Sequence, residues 1–219
     1  MKVQVMKNIL SENDKIAEDN RKLFGEKKVF VINLMGSPGS GKTSLLELTI
    51  SKLKDQIKMA VIEGDVFTAK DAERIERHKV PVIQINTTGG CHLDAAMIQK
   101  AADSLDLDAL DLIIVENVGN LVCPAEFDIG ENEKVVVLSI TEGDDKPLKY
   151  PLIFKESAVA ILNKIDIIKF TNFNLDSARE DLTTLHPDIK IIETSCTNGA
   201  GLDDWCDWIK NKIKCRKSD

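Results

Sequence analysis

GSPGSGKT, residues Gly36–Thr43, matches the pattern G-x-x-x-x-G-K-[ST] at every fixed position. Before it runs KKVFVINLM (27–35), almost continuously apolar. After it runs KTSLLELTISKLKDQ (42–56), with apolar residues recurring at three and four. A strand leading into glycines and then a helix is the frame in which backbone N–H groups close around phosphate oxygens. The glycines permit positive φ, and the helix N-terminus adds its dipole. Gly36, Ser37, Pro38, Gly39, Ser40, Gly41, Lys42, Thr43 and Ser44 are therefore the expected phosphate-binding segment. Lys42 is expected to reach the β- and γ-phosphates, and Thr43 to ligate Mg²⁺. The bare pattern arises by accident in roughly one chain in a hundred of this length. The strand and helix beside it make accident rarer still.

The same apolar signature repeats along the chain. KMAVIEG (58–64), VPVIQIN (80–86), DLIIVEN (111–117), KVVVLSIT (134–141), SAVAILN (157–163) and IKIIETS (189–195) are all rich in Val and Ile. Continuous apolar runs of this length read as parallel strands covered on both faces. Helical patterns lie between them: AKDAERIERH, DAAMIQKAADSL, LDSAREDLTTL and LDDWCDWIKNK. The alternation predicts an α/β fold of the P-loop NTPase kind, doubly wound, with a mainly parallel seven-stranded sheet flanked by helices. Residues 1–26 read as an N-terminal helical segment, packed on the outside or exchanged with a partner. Residues 27–219 read as the nucleotide-binding domain.

Ligands of such sheets sit beyond the carboxyl ends of the strands, and the chain places chemistry there. NKID, Asn163–Asp166, resembles the N-K-x-D base motif of GTPases. Asp166 can accept from guanine N1–H and the N2 amine at once. Adenine offers no donors there, and such mismatches are rejected by about 10⁴-fold. Lys164 is expected along the base plane, and Asn163 as a tie between loops. Ser195 and Cys196 in TSCTNGAG are expected to offer backbone N–H to guanine O6. Asp65 and Glu116 end two strands, where Mg²⁺ takes hard oxygen ligands. Glu116 opens ENVG, which resembles the acid-x-x-Gly segment of GTPases, so Gly119 is expected to give its N–H to the γ-phosphate. Asp65 is a second Mg²⁺-linked carboxylate or orients the attacking water. No in-line glutamine stands out, so intrinsic hydrolysis of GTP to GDP is expected to be slow.

Composition narrows the partners. The chain has 219 residues, 43% apolar and 30% charged, with a net charge of −7. That excludes a broad basic face for nucleic acid. No apolar run reaches the length of a membrane span, and no signal-peptide pattern opens the chain, so a cytoplasmic location is expected. The five cysteines, Cys91, Cys123, Cys196, Cys206 and Cys215, are odd in number and widely spread, which argues against a disulfide framework.

One loop remains, TTGGCHLDA (87–95). Cys91 and His92 stand side by side after two glycines, and Cys123-Pro124 lies just past ENVG. Thiolates with an imidazole suit Zn²⁺ or Ni²⁺ rather than Mg²⁺ or Ca²⁺. Spacing alone leaves two readings open: a metal site, or two small buried thiols and a loop histidine.

Taken together, GSPGSGKT, IEGD, TTGGCHLD, ENVGNLVCPAEFDIGE and NKID resemble the HypB family of nickel-insertion GTPases of [NiFe]-hydrogenase, within the SIMIBI class of P-loop proteins. The resemblance runs from about Val29 to Lys210. It implies GTP binding and hydrolysis coupled to nickel delivery, and a homodimer favoured by GTP. It also implies a Zn²⁺ or Ni²⁺ site at the dimer interface carried by Cys91, His92 and Cys123. A nickel-handling accessory protein and the hydrogenase large subunit are the implied partners. One departure is plain: no Cys or His precedes His78, so the N-terminal cysteine cluster and histidine-rich stretch of some family members are missing here. The competing readings are a P-loop kinase, a SIMIBI GTPase serving urease or a cobalamin enzyme, and a dimer with a purely structural zinc.

Overall fold

The computed structural model describes residues 2–65 and 74–218, with side chains for 10–65 and 74–216. Seven strands appear: β1 (Phe30–Gly36), β2 (Met59–Asp65), β3 (Val82–Asn86), β4 (Leu112–Glu116), β5 (Glu133–Ser139), β6 (Val159–Asn163) and β7 (Lys190–Thr194). They form one sheet in the order β3-β2-β4-β1-β5-β6-β7. All six pairings are parallel. The expected P-loop class and strand count are what the structure has. The expected helix over 69–78 lies partly outside the described residues, which show only its last turn, 74–76.

The longer helices are α1 (Lys2–Glu26), α2 (Lys42–Leu53), α3 (Ala95–Ala102), α7 (Leu175–Leu185) and α8 (Leu202–Ser218). Three short helices were not legible as periodic patterns: α4 (Cys123–Glu126), α5 (Lys146–Lys149) and α6 (Pro151–Lys155). Each carries a proline in its first turn, where the fixed φ suits a helix start. Four or five residues are too few to show a period. β1 begins later than the apolar run suggests, because Lys28 takes a left-handed φ of 56° and turns the chain out of α1.

Strand alternation distributes the core. Phe30, Ile32 and Leu34 of β1 pack with α2 and α8 on one face, including Leu46, Trp205 and Ile209. Val31 packs on the other face with Phe24 of α1 and Ile98 of α3. Met35 joins Phe154 and Leu182 of α6 and α7. Trp205 and Trp208 stack at 5.3 Å, and the Trp205 indole N–H donates to Thr49 at 2.9 Å, so these tryptophans are core. The consequence for function is that β1, the central strand, delivers the phosphate loop between β4 and β5.

Candidate functional site

A cavity of about 540 Å³ opens at the carboxyl ends of the central strands. It is lined by Pro38, Gly39 and Gly41–Ser44, by Glu63–Asp65, Arg74, Glu116–Gly119 and Lys164. Gly41 shows why the loop needs glycine. Its φ is 100°, and an added Cβ would sit 2.3 Å from the Asn163 amide. Gly119 is also tightly packed: an added Cβ would meet Pro38 at 2.9 Å, so the ENVG segment rests directly on the phosphate loop.

The Lys42 ammonium bridges Gly36 O and Ser37 O, each at 3.2 Å, inside this cavity. Thr43 Oγ1 donates to Glu116 Oε1 at 2.8 Å. Glu63 faces Glu116 in the β2–β4 register, and both are buried. Asp65 lies two residues on from Glu63, hence on the same side of β2. A hydroxyl and three carboxylates converging beside a lysine form a hard-oxygen donor set that fits Mg²⁺ with a phosphate ligand. Glu63 was missed by sequence reasoning, although its i,i+2 relation to Asp65 was the available signal. Arg74 was missed too; its guanidinium pairs with Glu47 and reaches Ser44 Oγ at 3.4 Å.

Of the residues expected to read the base, only Lys164 lines this cavity. Asn163 is the hub. Its Nδ2 donates to Ser40 O at 3.0 Å, and its Oδ1 accepts from Lys164 N at 2.8 Å and Thr194 Oγ1 at 3.1 Å. The Lys164 ammonium is anchored on Gly39 O at 2.7 Å. A base would therefore meet its stem rather than its charge.

Ser195 differs from expectation. Its N–H donates to Ala200 O at 3.0 Å, so the backbone group assigned to guanine O6 is used within its own loop. Its hydroxyl instead donates to Asp166 Oδ1 at 2.6 Å and holds that carboxylate in place. Cys196 points its thiol at Asn163 Oδ1, 3.6 Å away, and burial pushes its pKa up. Burial likewise pushes Cys206 up to about 11.

The second cluster lies on the other side of ENVG. Cys91, His92 and Cys123 bring one ligand atom each within 4.8 Å of one another. A tight turn makes this possible for adjacent residues. Thr87 Oγ1 donates to Gly90 O at 2.9 Å, Gly90 N–H donates to Thr87 O at 3.0 Å, and Gly89 takes a φ of 100°. The Cys91 thiol donates to Cys123 Sγ at 2.8 Å, and Cys91 Sγ is 3.5 Å from His92 Nδ1. The imidazole stacks on Phe127 at 3.7 Å. Burial holds the His92 pKa low and the ring neutral, the form that binds metals. The Cys91 hydrogen bond, then burial, raise the Cys123 thiol. Two sulfurs and an imidazole fit a tetrahedral Zn²⁺ or Ni²⁺ with one position left over. Cys91, His92 and Cys123 would hold such an ion through their thiolates and imidazole.

Asn120 joins the two clusters. Its N–H donates to Gly36 O at 3.0 Å, and its Nδ2 donates to Cys91 O at 3.3 Å. Its Oδ1 accepts from Val122 N at 2.9 Å, beside Cys123. Asn117 adds a second link, its Oδ1 accepting from Leu93 N at 3.1 Å. Neither asparagine carried a signal in the sequence, where Asn after a strand reads as a turn.

Sheet, phosphate loop and convergent carboxylates define a P-loop nucleotide-binding domain. Residues 30–193 match the family described as CobW/HypB/UreG, nucleotide-binding domain. The chain is 48% identical over 210 residues to the hydrogenase maturation factor HypB of Escherichia coli K12, covering 96% of this chain and 72% of that one. Two solved structures superpose with a TM-score of 0.88 at 38% identity: HypB of Archaeoglobus fulgidus, and HypB of Helicobacter pylori in complex with nickel. They cover 93% of this chain, and 100% and 95% of their own. The chain belongs to the HypB family of hydrogenase maturation factors, a P-loop nucleotide-binding GTPase family. The fold extends to the SIMIBI members: FtsY of Thermotoga maritima superposes with a TM-score of 0.53 at 22% identity. No described helix is long and apolar enough to cross a membrane.

Proposed function

We propose that this chain hydrolyses GTP slowly and uses the nucleotide state to hold and release nickel for [NiFe]-hydrogenase maturation. Residues 27–219 form the GTPase domain. Cys91, His92 and Cys123 hold Zn²⁺ or Ni²⁺ and meet their counterparts across a GTP-favoured homodimer, since six groups complete what three leave open. Lys42 carries the β- and γ-phosphates. Thr43, Asp65 and Glu116 hold Mg²⁺, with Glu63 beside them. Gly119 senses the γ-phosphate, and Asp166 reads guanine. As an alternative to its Mg²⁺ role, Asp65 orients the attacking water, and turnover is slow. Nickel arrives from an accessory protein and leaves for the hydrogenase large subunit.

The observation that carries this reading is Asn120, one residue bonded to the phosphate loop and to both thiol-bearing arms. A shift of ENVG toward a γ-phosphate changes the spacing of the two sulfurs. By linkage the metal then changes GTP affinity by the same factor.

The test is titration of Ni²⁺ and Zn²⁺ into the GDP and GTP-analogue states, with oligomer mass followed in parallel. Affinities differing by about 5- to 150-fold are expected. Equal affinities mean a purely structural ion. Cys91→Ala with Cys123→Ala is expected to remove the stoichiometric ion while leaving most GTPase activity, and a metal still bound would overturn the ligand assignment. Asn120→Ala is expected to keep both ligands bound but shrink the difference between nucleotide states to about twofold or less, the loss of about 0.5–2.5 kcal/mol of coupling.

A further inference from the structure

We propose that helix α1 is the clamp that sets the spacing of the metal site, acting through the amides of Asn13 and Asn20. The proposal deepens the metal reading above and rests on it. The two asparagines are seven residues apart, two helical turns, and so share one face of α1. Both are buried, and Asn20 is 0% exposed. Each bridges the same two segments. Asn13 Oδ1 accepts from Ala95 N at 2.9 Å, while its Nδ2 donates to Asp128 O at 2.8 Å. Asn20 Nδ2 donates to Ala95 O at 2.8 Å and to Ile129 O at 3.1 Å.

Ala95 begins α3, three residues after His92. Asp128 and Ile129 end the arm that starts at Cys123. The clamp thus ties the backbone behind one thiol to the backbone behind the other. The fit is close: an added Cβ on Gly130 would lie 2.5 Å from Asn20 Cβ and 2.7 Å from Ala17 O. Arg21 adds an ion pair to Asp128, half exposed. Neither amide lines the nucleotide cavity.

Chemistry distinguishes a clamp from ordinary packing. A buried amide is costly unless bonded, and an apolar residue would glue α1 down as well. What an amide adds is direction: it fixes where four specific backbone groups sit. Two sulfurs 2.8 Å apart, on arms with no strand pairing between them, need such a reference.

The experiment uses full-length Asn13→Ala and Asn20→Ala, with Lys22→Ala on the outer face of the same helix as control. Three quantities are read: Zn²⁺ affinity by competition with a chromophoric chelator, GDP affinity, and the rate at which a dibromo-alkylating crosslinker joins Cys91 to Cys123 in metal-free protein. Expected for Asn13→Ala is Zn²⁺ affinity about tenfold weaker, equivalent to about 1.4 kcal/mol. GDP affinity is unchanged, crosslinking is several-fold slower, and Lys22→Ala is silent. If Asn20→Ala does not fold, Asn13→Ala decides alone. Unchanged Zn²⁺ affinity with unchanged crosslinking overturns the clamp, as does equal loss of GDP and Zn²⁺ binding. If the unaltered protein binds no stoichiometric Zn²⁺ or Ni²⁺, the metal reading fails. The crosslinking rate, which needs no metal, still judges whether α1 sets the thiol spacing.

Discussion

Asp166→Asn is expected to weaken GTP binding by about 10⁴-fold and to transfer the preference to xanthosine triphosphate. The carboxylate only accepts, and guanine presents two donors to it, N1–H and the N2 amine. Asparagine places an N–H₂ where one acceptor stood, so donor faces donor and the hydrogen bond to the N2 amine is lost. Xanthine replaces the N2 amine with a carbonyl oxygen and restores the match. The surrounding loop tolerates the change, because the Ser195 hydroxyl that now donates to Asp166 Oδ1 at 2.6 Å can donate to an amide oxygen equally well. Parallel binding of GDP, XDP and ADP to both forms checks this. A variant that keeps its preference for GDP would place base recognition elsewhere. Preference of the unaltered protein for ADP would end the GTPase reading.

Lys42→Ala is expected to lower GDP and GTP affinity by about 10²-fold or more, from two charge-assisted hydrogen bonds of about 1.5–3 kcal/mol each. The fold should survive. The ammonium now bridges two carbonyls, and one of them, Gly36 O, also accepts from Asn120 N–H. The loss therefore falls on the ligand rather than on the loop. The decisive comparison is nucleotide affinity against thermal midpoint without nucleotide. Weak binding with an unchanged midpoint is the expected pair. Retained affinity would mean the phosphates lie away from Lys42.

The phosphate loop and the seven strands were legible for physical reasons. The loop is a local solution whose glycines are dictated by backbone geometry, as at Gly41. The inner strands are buried on both faces and read as apolar runs, while the edge strands β3 and β7, only partly buried, still carry enough Val and Ile to be seen. The meeting of Cys91, His92 and Cys123 was legible only as a possibility, because Cys91 and Cys123 are 32 residues apart and meet through a turn that no periodicity announces. Glu63 could have been found from strand alternation. The linking asparagines could not: Asn13, Asn20 and Asn120 act through hydrogen bonds to backbone groups up to 115 residues away, and any of them reads locally as surface or turn. The engagement of the Ser195 N–H within its own loop was illegible for a related reason. Its loop closes on itself through Ala200, a bond that a residue type does not reveal.

Asn163 donates to Ser40 O across 123 residues of chain. β1 meanwhile finds its two sheet neighbours only when residues 112–139 are in place. During synthesis, then, the phosphate loop emerges early but stays an unfinished receptor until β6 has left the ribosome. Long-range parallel pairing is slow to form. A nucleotide that binds only the finished receptor rewards that last closure, stabilising it in proportion to the logarithm of its concentration. The nucleotide is in this sense a folding cofactor for the chain.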